Sequence, residues 1–182
     1  ERLLQHEVAS RFFAAVVSQA KSGNLMSANH FSVDGTLVEA WASLKSFRPR
    51  DESDDGDGNG WGDFRGQKRS NETHASKTDP EARLMRKAKS QAAKLSFSTH
   101  VLMENRNGLL ADVRVALATG YAEREVALQM LDDAGITAAT VAADRAYDTK
   151  DFVDDCRSRG ITPHVARHTT RRRSAIDGRT TR

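Results

Sequence analysis

Apolar and polar residues alternate along two neighbouring stretches of the chain, and this alternation is its clearest pattern. In the first stretch, apolar or β-branched residues occupy every second position: Leu95, Phe97, Thr99, Val101 and Met103. The alternation resumes at Leu109, after a turn-forming Asn-Arg-Asn-Gly run at 105–108. Because successive side chains of a strand point to opposite faces, this pattern predicts a β-hairpin over 94–118 with one buried face. His100 then falls on the outer face, in contact with solvent.

Elsewhere the spacing of apolar residues predicts helices and short buried strands. Three-to-four spacing predicts helices over 2–20, 36–44 and 121–134, and one that begins at Asp148 or Thr149 and ends at Gly160. The run Asp79-Pro80-Glu81 is typical of a helix N-terminus. Short apolar runs predict strands at 30–33, 136–143 and 161–166, and the first two of these end at Asp34 and Asp144.

The order of these elements predicts the fold class. A strand is followed by an insert, a hairpin, a helix, a strand, a helix and a last strand. A helix between two strands favours parallel pairing with a right-handed crossover. This is the α/β layout of the RNase H-like fold, a mixed sheet with flanking helices, which we expect to be incomplete at both ends. Its first and fourth strands are parallel neighbours about 4.8 Å apart, so Asp34 and Asp144 should lie at adjacent strand ends.

The stretch between the first strand and the hairpin differs in composition from the rest of the chain. Residues 51–63 contain six acidic residues and no basic one, and five glycines fall between positions 56 and 66. Such a segment cannot bury enough apolar surface to offset the entropy of ordering it. We therefore expect a disordered insert at about 49–78, most pronounced from about Arg50 to Lys68.

Charge is concentrated at the end of the chain. The net charge is only +3, but residues 157–182 contain eight arginines and one acid, Asp177. A basic segment of this kind suits a polyphosphate partner, because each arginine that neutralises a phosphate releases counterions. Arg171, Arg172 and Arg173 are the best candidates for phosphate contacts, followed by Arg145. The alternative is a frayed, solvated tail that binds nothing.

Other features of the composition limit the possible functions. Cys156 is the only cysteine, which excludes a disulfide framework and a thiolate zinc site, and we expect it to pack as a small apolar residue. No apolar run reaches the roughly 20 residues that a membrane span requires. No signal peptide is recognisable either, so we expect a cytoplasmic protein without a membrane partner.

Two aspartates at adjacent strand ends could hold a metal ion. Phosphoryl transfer needs charge relief on the attacking and leaving oxygens, which two divalent cations about 3.5–4 Å apart provide. Mg²⁺ prefers oxygen ligands, so Asp34 and Asp144 are candidate ligands for Mg²⁺ or Mn²⁺. The residues alone also allow a simpler interpretation, in which Asp34 and Gly35 form a turn and Asp144 caps a helix.

Four blocks of the sequence resemble one family. The block Phe31–Phe47, FSVDGTLVEAWASLKSF, looks like the first-aspartate block of bacterial insertion-sequence transposases of the DDE class, within the insertion sequence five-like family. The run at 74–84 is similar to the segment before their hairpin, 100–109 resembles the hairpin, and 141–148 looks like their second-aspartate block. The blocks occur in the family's order and cover nearly the whole chain.

This resemblance implies a function and a set of site residues. Asp34 and Asp144 would be the first two acids of the catalytic triad, with Mg²⁺ or Mn²⁺ as cofactor. The partners would be transposon-end and target DNA, which the enzyme cuts and joins. The family's third acid, a Glu, follows a segment like 175–182, so we expect it beyond Arg182. We also expect residues 1–25 to link to an upstream DNA-binding region and 26–182 to form an internal fragment of the catalytic domain.

Two other functions stay open at this point. The chain could be a non-catalytic, DNA-binding remnant of a decayed transposase. It could also be an RNase H-like nuclease unrelated to transposition. Assembly into a homo-oligomer is a further open alternative.

Overall fold

The computed structural model describes residues 7–50, 69–170 and 172–177. Three helices are α1 (Val8–Ser22), α2 (Ala122–Asp133) and α3 (Lys150–Ser158). The strands are β1 (His30–Glu39), β2 (Phe47–Pro49), β3 (His74–Ser76), β4 (Arg83–Met85), β5 (Lys94–Glu104), β6 (Leu109–Leu117), β7 (Thr140–Ala143) and β8 (Thr162–Val165). Short 3-10 turns occupy Leu44–Ser46 and Arg145–Tyr147. The core of the predicted insert, from 51 to 68, lies outside the described residues.

The principal sheet has the strand arrangement expected from the order of elements. Its strands run β4-β5-β1-β7-β8, and β6 also pairs with β5. The first and fourth strands of the predicted fold, β1 and β7, are parallel neighbours, as are β7 and β8. β5 runs antiparallel to β1, since the Asn105 amide donates to the His30 carbonyl at one end and the Ala40 amide to the Leu95 carbonyl at the other. The predicted RNase H-like mixed sheet with flanking helices is confirmed.

The hairpin is confirmed, but the burial of its two faces is the reverse of the prediction. Residues of β5 at even positions are buried: Ser96, Ser98, His100, Leu102 and Glu104. Val101 and Met103 are only half-buried. β5 is an interior strand with neighbours along both edges, and its small serines pack inward where the alternation of apolar residues predicts an outer face. His100, expected in solvent, is 1% exposed.

Two predicted helices are wrong. The first strand does not end at Asp34 but continues to Glu39 and replaces the helix expected at 36–44. β-branched Thr36 and Val38 favour a strand, and β5 offers a pairing partner along this segment. The run at 79–81 forms a turn before β4, closed by the Ala82 amide, which donates to the Asp79 carbonyl at 3.1 Å.

The C-terminal part of the expected insert also differs from the prediction. Residues 74–76 form β3, which pairs antiparallel with β2 so that Phe47 lies opposite Ser76. The Asn71 side chain bonds both backbone groups of Leu84, accepting the amide at 2.6 Å and donating to the carbonyl at 3.1 Å. These hydrogen bonds hold residues 69–78 in a defined conformation, although the composition of the segment predicts disorder.

The chain divides into two compact units, each with its own buried residues. One comprises the described residues within 1–35, 100–114 and 123–182, and the other those within 36–99 and 115–122. The second unit has a core of Phe47, Ala82 and Leu95. In the first unit, the helix predicted at 121–134 is present as α2, and its Val126 and Met130 are buried.

The last helix and the cysteine also follow the sequence. Thr149 is the N-cap of α3, and its hydroxyl accepts the Phe152 amide at 3.4 Å. Cys156 is buried, as expected, and burial raises the pKa of its thiol to about 12. None of the described helices combines the length and apolar character needed to cross a membrane.

Candidate functional site

The pairing of β1 with β7 sets Asp34 and Asp144 at the same level. The register places Ser32 opposite Ala142, and each aspartate lies two residues further along its own strand direction. Asp144 directly follows β7, and its backbone is still extended, with φ −75° and ψ −178°. Because side chains two residues apart share a face of a strand, both aspartates lie on the face of the sheet that carries Ser32.

Each aspartate carboxylate is held by one local hydrogen bond. Oδ1 of Asp34 accepts the Gly35 amide at 2.9 Å, and Oδ1 of Asp144 accepts the Ala146 amide at 2.7 Å. The alternative interpretation of Asp144 as a cap is therefore correct, although it caps a 3-10 turn. The turn expected at Asp34 and Gly35 is wrong, since both lie within β1. Both aspartates are exposed, and these bonds leave Oδ2 of each unused.

Glu123, in the first turn of α2, is a third acid near this edge that the sequence analysis did not identify. A methyl group added at Gly35 would lie 2.8 Å from Cγ and 2.9 Å from Oε1 of Glu123. Burial raises the pKa of the Glu123 carboxyl, and the negative charges of Asp144 and Asp34 raise it further. Glycine inside a strand often marks such a close approach, so Gly35 indicates that some group packs closely there, but it does not identify that group as Glu123.

Tyr147 lies in the same electrostatic environment. Its ring is buried and meets the Phe152 ring edge-on, with the centroids 5.1 Å apart. Burial raises the pKa of its hydroxyl, and Glu123, Asp34 and Asp144 each raise it further. Three carboxylates therefore act on one buried phenol, which indicates that they share one region of the molecule.

The residues at this edge suit a hard divalent cation. Carboxylate oxygens are the ligands that Mg²⁺ and Mn²⁺ prefer, and Mg²⁺ is often bound through one or two carboxylates together with waters and substrate phosphates. Within residues 7–50, 69–170 and 172–177, however, no three His, Cys, Asp or Glu side chains are grouped closely enough to hold an ion. Asp34 and Asp144 thus fit two ligands of an open site, with Glu123 nearby, and do not form a closed metal cage.

The arginines predicted to contact phosphates differ in their surroundings from those nearer the start of the basic segment. Arg145, Arg172 and Arg173 are exposed, whereas Arg171 lies outside the described residues. Nearer the start of the basic segment, Arg157 pairs with Asp177 at 2.8 Å and Arg159 with Asp132 at 2.7 Å. These two arginines therefore fasten α3 to other parts of the first unit, so the segment is not a frayed tail throughout.

Comparisons with known proteins identify a family. A family model described as "Transposase DDE domain" matches residues 27–182. No protein with a curated description matches the chain.

Two solved structures resemble the chain. One is a simian T-cell lymphotropic virus intasome in complex with PP2A regulatory subunit B56 gamma, at TM-score 0.40 and 12% identity over 79% of this chain and 33% of that one. The other is a piggyBac transposase synaptic complex with hairpin DNA, at TM-score 0.43 and 9% identity over 94% of this chain and 31% of that one. The chain thus spans about a third of each of these proteins.

Proposed function

Since the chain belongs to the Transposase DDE domain family, we propose that it is part of a DNA transposase whose active site is assembled at Asp34 and Asp144. The observation that supports this most strongly is the register of β1 and β7, which brings the two aspartates to one level at neighbouring strands. We also propose the finer assignment, a bacterial insertion-sequence transposase of the insertion sequence five-like family. It rests on the sequence blocks at 31–47, 74–84, 100–109 and 141–148.

Asp34 and Asp144 would hold Mg²⁺ or Mn²⁺, which when bound supplies an activated water and charge relief at the reacting phosphodiester. The two side chains are suited to this because each is fixed by a backbone amide through Oδ1 and presents a second oxygen. Hydrolysis at a transposon end would form a P–O bond to the water oxygen and break the P–O bond to the 3′ oxygen, which takes up a proton from the water and leaves as a 3′ hydroxyl. That hydroxyl then attacks a target phosphodiester, forms a new P–O bond and releases the 3′ oxygen of the target strand.

The remaining parts of this assignment are proposals of the same kind. Arg145 and the arginines at 171–173 would neutralise DNA phosphates without reading sequence. The third acid implied by the resemblance, a cytoplasmic location and assembly into an oligomer stay predictions. The activity of a whole transposase, including strand transfer, is likewise proposed, since the chain spans about a third of the two solved proteins it resembles.

A metal titration with matched variants tests the proposal. The melting temperature of the chain should rise with Mn²⁺, because an ion that binds only the folded state stabilises it. Asp34→Asn and Asp144→Asn should each abolish most of that rise. Asp151→Asn, an exposed change of the same charge on α3, should leave it intact. An equal rise in all four proteins would contradict a metal site at these aspartates.

DNA measurements separate the proposal from a non-catalytic remnant. We expect non-specific binding of duplex DNA that weakens steeply between about 50 and 200 mM salt. A remnant that only binds DNA would show the same salt dependence of DNA binding. Its melting temperature would not rise with Mn²⁺, and Asp34→Asn and Asp144→Asn would leave that result unchanged.

A further inference from the structure

A buried carboxylate outside the proposed metal site fastens the basic segment to the first unit. Asp148 is 1% exposed, and it follows the 3-10 turn that Asp144 caps. Its Oδ2 accepts the His168 amide at 2.6 Å, and its Oδ1 accepts the Ala175 amide at 2.8 Å. The Ser174 hydroxyl accepts the Ile176 amide at 3.1 Å and also lowers the pKa of the Asp148 carboxyl. One side chain thus joins two backbone positions that are seven residues apart in the sequence.

These bonds keep Asp148 ionised inside the protein. Burial by itself would raise the pKa of the carboxyl, but the bonds from the His168 and Ala175 amides, together with the Ser174 side chain, outweigh it, and the pKa is lowered. Hydrogen bonds to an ionised group are roughly twice as strong as those between neutral groups. The carboxylate therefore connects the 3-10 turn before α3 firmly to His168 and Ala175.

The segment is anchored again just beyond Ala175. Ile176 is buried, and Asp177 is paired with Arg157 of α3 at 2.8 Å. Arg172 and Arg173 lie between His168 and this second anchor, and their side chains are exposed. The loop therefore has fixed ends on a folded unit and two cations on its outer surface.

We propose that Asp148, four residues after Asp144, is a positioning residue. It holds Arg172 and Arg173 as a preformed contact for DNA phosphates. This inference rests on the proposed function, since it assumes that the arginines bind DNA. A preformed loop binds more tightly than a free one because its ordering cost is met by folding and not by binding. A loop held only for stability would not change DNA affinity when it is released.

The test compares Asp148→Asn with Asp151→Asn, which removes the same charge from an exposed position on α3. Trypsin cleavage after Arg172 and Arg173 measures release of the loop, and binding to a short duplex of mixed sequence at low salt measures the DNA contact. Asp148→Asn should speed cleavage about tenfold or more, the factor that corresponds to losing about 1.4 kcal/mol of charge-assisted bonding. It should also weaken DNA binding several-fold, while Asp151→Asn changes neither.

A double-mutant cycle separates positioning from general damage. In a protein that already carries Arg172→Ala and Arg173→Ala, Asp148→Asn should cause no further loss of DNA affinity. If Asp148→Asn does not fold, Ser174→Ala takes its place, because it leaves the buried carboxylate intact and removes a side chain that lowers its pKa. It should change the cleavage rate and the DNA affinity in the same directions, by smaller factors.

Three results would overturn the inference. Faster cleavage with unchanged DNA affinity would show that the loop is held for stability alone. Unchanged cleavage would show that Asp148 does not hold the loop. A further loss of affinity in the arginine-free background would show that Asp148 acts by another route. If the unmodified chain binds no DNA at low salt, the proposed function itself fails, whatever the cleavage rates are.

Discussion

Gly35 lies so close to the side chain of Glu123 that a β-carbon at position 35 would force that side chain to move. A methyl group there would lie 2.8 Å from Cγ of Glu123 and 3.2 Å from its Cδ. Gly35 follows Asp34 in β1, and Glu123 lies in the first turn of α2. The absence of a side chain at one position therefore allows a third carboxyl to approach the pair of aspartates.

Gly35→Ala should destabilise the chain through this contact. Because the atoms that a β-carbon would meet belong to the flexible side chain of Glu123 and not to backbone, the loss in the free energy of unfolding should lie near or below the lower end of the about 1–3 kcal/mol typical of overpacking, and urea denaturation measures it. The double variant Gly35→Ala with Glu123→Ala should recover most of the loss, because the clashing atoms are gone. Additive effects of the two substitutions would mean that Gly35 and Glu123 do not touch.

Glu123→Gln should stabilise the metal-free chain at pH 7. Burial and the charges of Asp144 and Asp34 raise the pKa of Glu123, so its contribution to stability is full below the unfolded value of about 4.3 and is lost as pH rises through the folded value. Removing the charge should therefore raise the melting temperature in EDTA at pH 7 but not at pH 4. Glu125→Gln, on an exposed residue of the same turn, provides the control. A lower melting temperature for Glu123→Gln at pH 7 would contradict the repulsion.

Asp148 should contribute to loss of stability in acid. Its pKa is lowered in the folded protein, so its stabilisation is present above the unfolded value of about 3.9 and is lost as pH falls toward the folded value. Urea unfolding between pH 6 and pH 3 should show a steeper decline for the unmodified chain than for Asp148→Asn. Parallel declines in the two proteins would place the acid sensitivity elsewhere.

His100 should be a second source of acid sensitivity, at higher pH than Asp148. Within the described residues neither ring nitrogen has a hydrogen-bond partner, and burial lowers the pKa of the imidazole. Its contribution to stability is therefore present above the unfolded value of about 6.5 and is lost as pH falls below it. His100→Leu should be neutral or stabilising at pH 7 and should reduce the pH dependence between pH 7 and pH 5. A loss of about 2 kcal/mol or more at pH 7 would indicate that the imidazole bonds a partner.

The sequence was most informative where local pattern and tertiary structure agree. The positions of the hairpin, α2 and α3 follow from periodicity, and short apolar runs locate the strands that lead to Asp34 and Asp144. Thr36–Glu39 was misjudged because its helical spacing was overridden by pairing with β5, which lies about 60 residues away in the sequence. The buried face of β5 was misjudged because burial depends on which layer covers the sheet, and alternation alone does not determine that.

The functional site shows the same division. Asp34 and Asp144 could be selected from their strand-end positions and from the resemblance of their sequence blocks to one family. Glu123 and Asp148 could not, because their roles come from contacts made only after folding: Glu123 against Gly35, and Asp148 with two amides beyond β8. A carboxylate on a helix surface or beside a helix N-cap gives no such indication in the sequence.

The most direct test of the account is a crystal structure of the chain with Mn²⁺, in which anomalous scattering locates the ion. We predict an Mn²⁺ peak between the carboxylates of Asp34 and Asp144, with those two groups within about 6 Å of each other. Carboxylates more than about 12 Å apart, or an Mn²⁺ ion bound elsewhere with none at these residues, would contradict a shared metal site and the proposed activity with it.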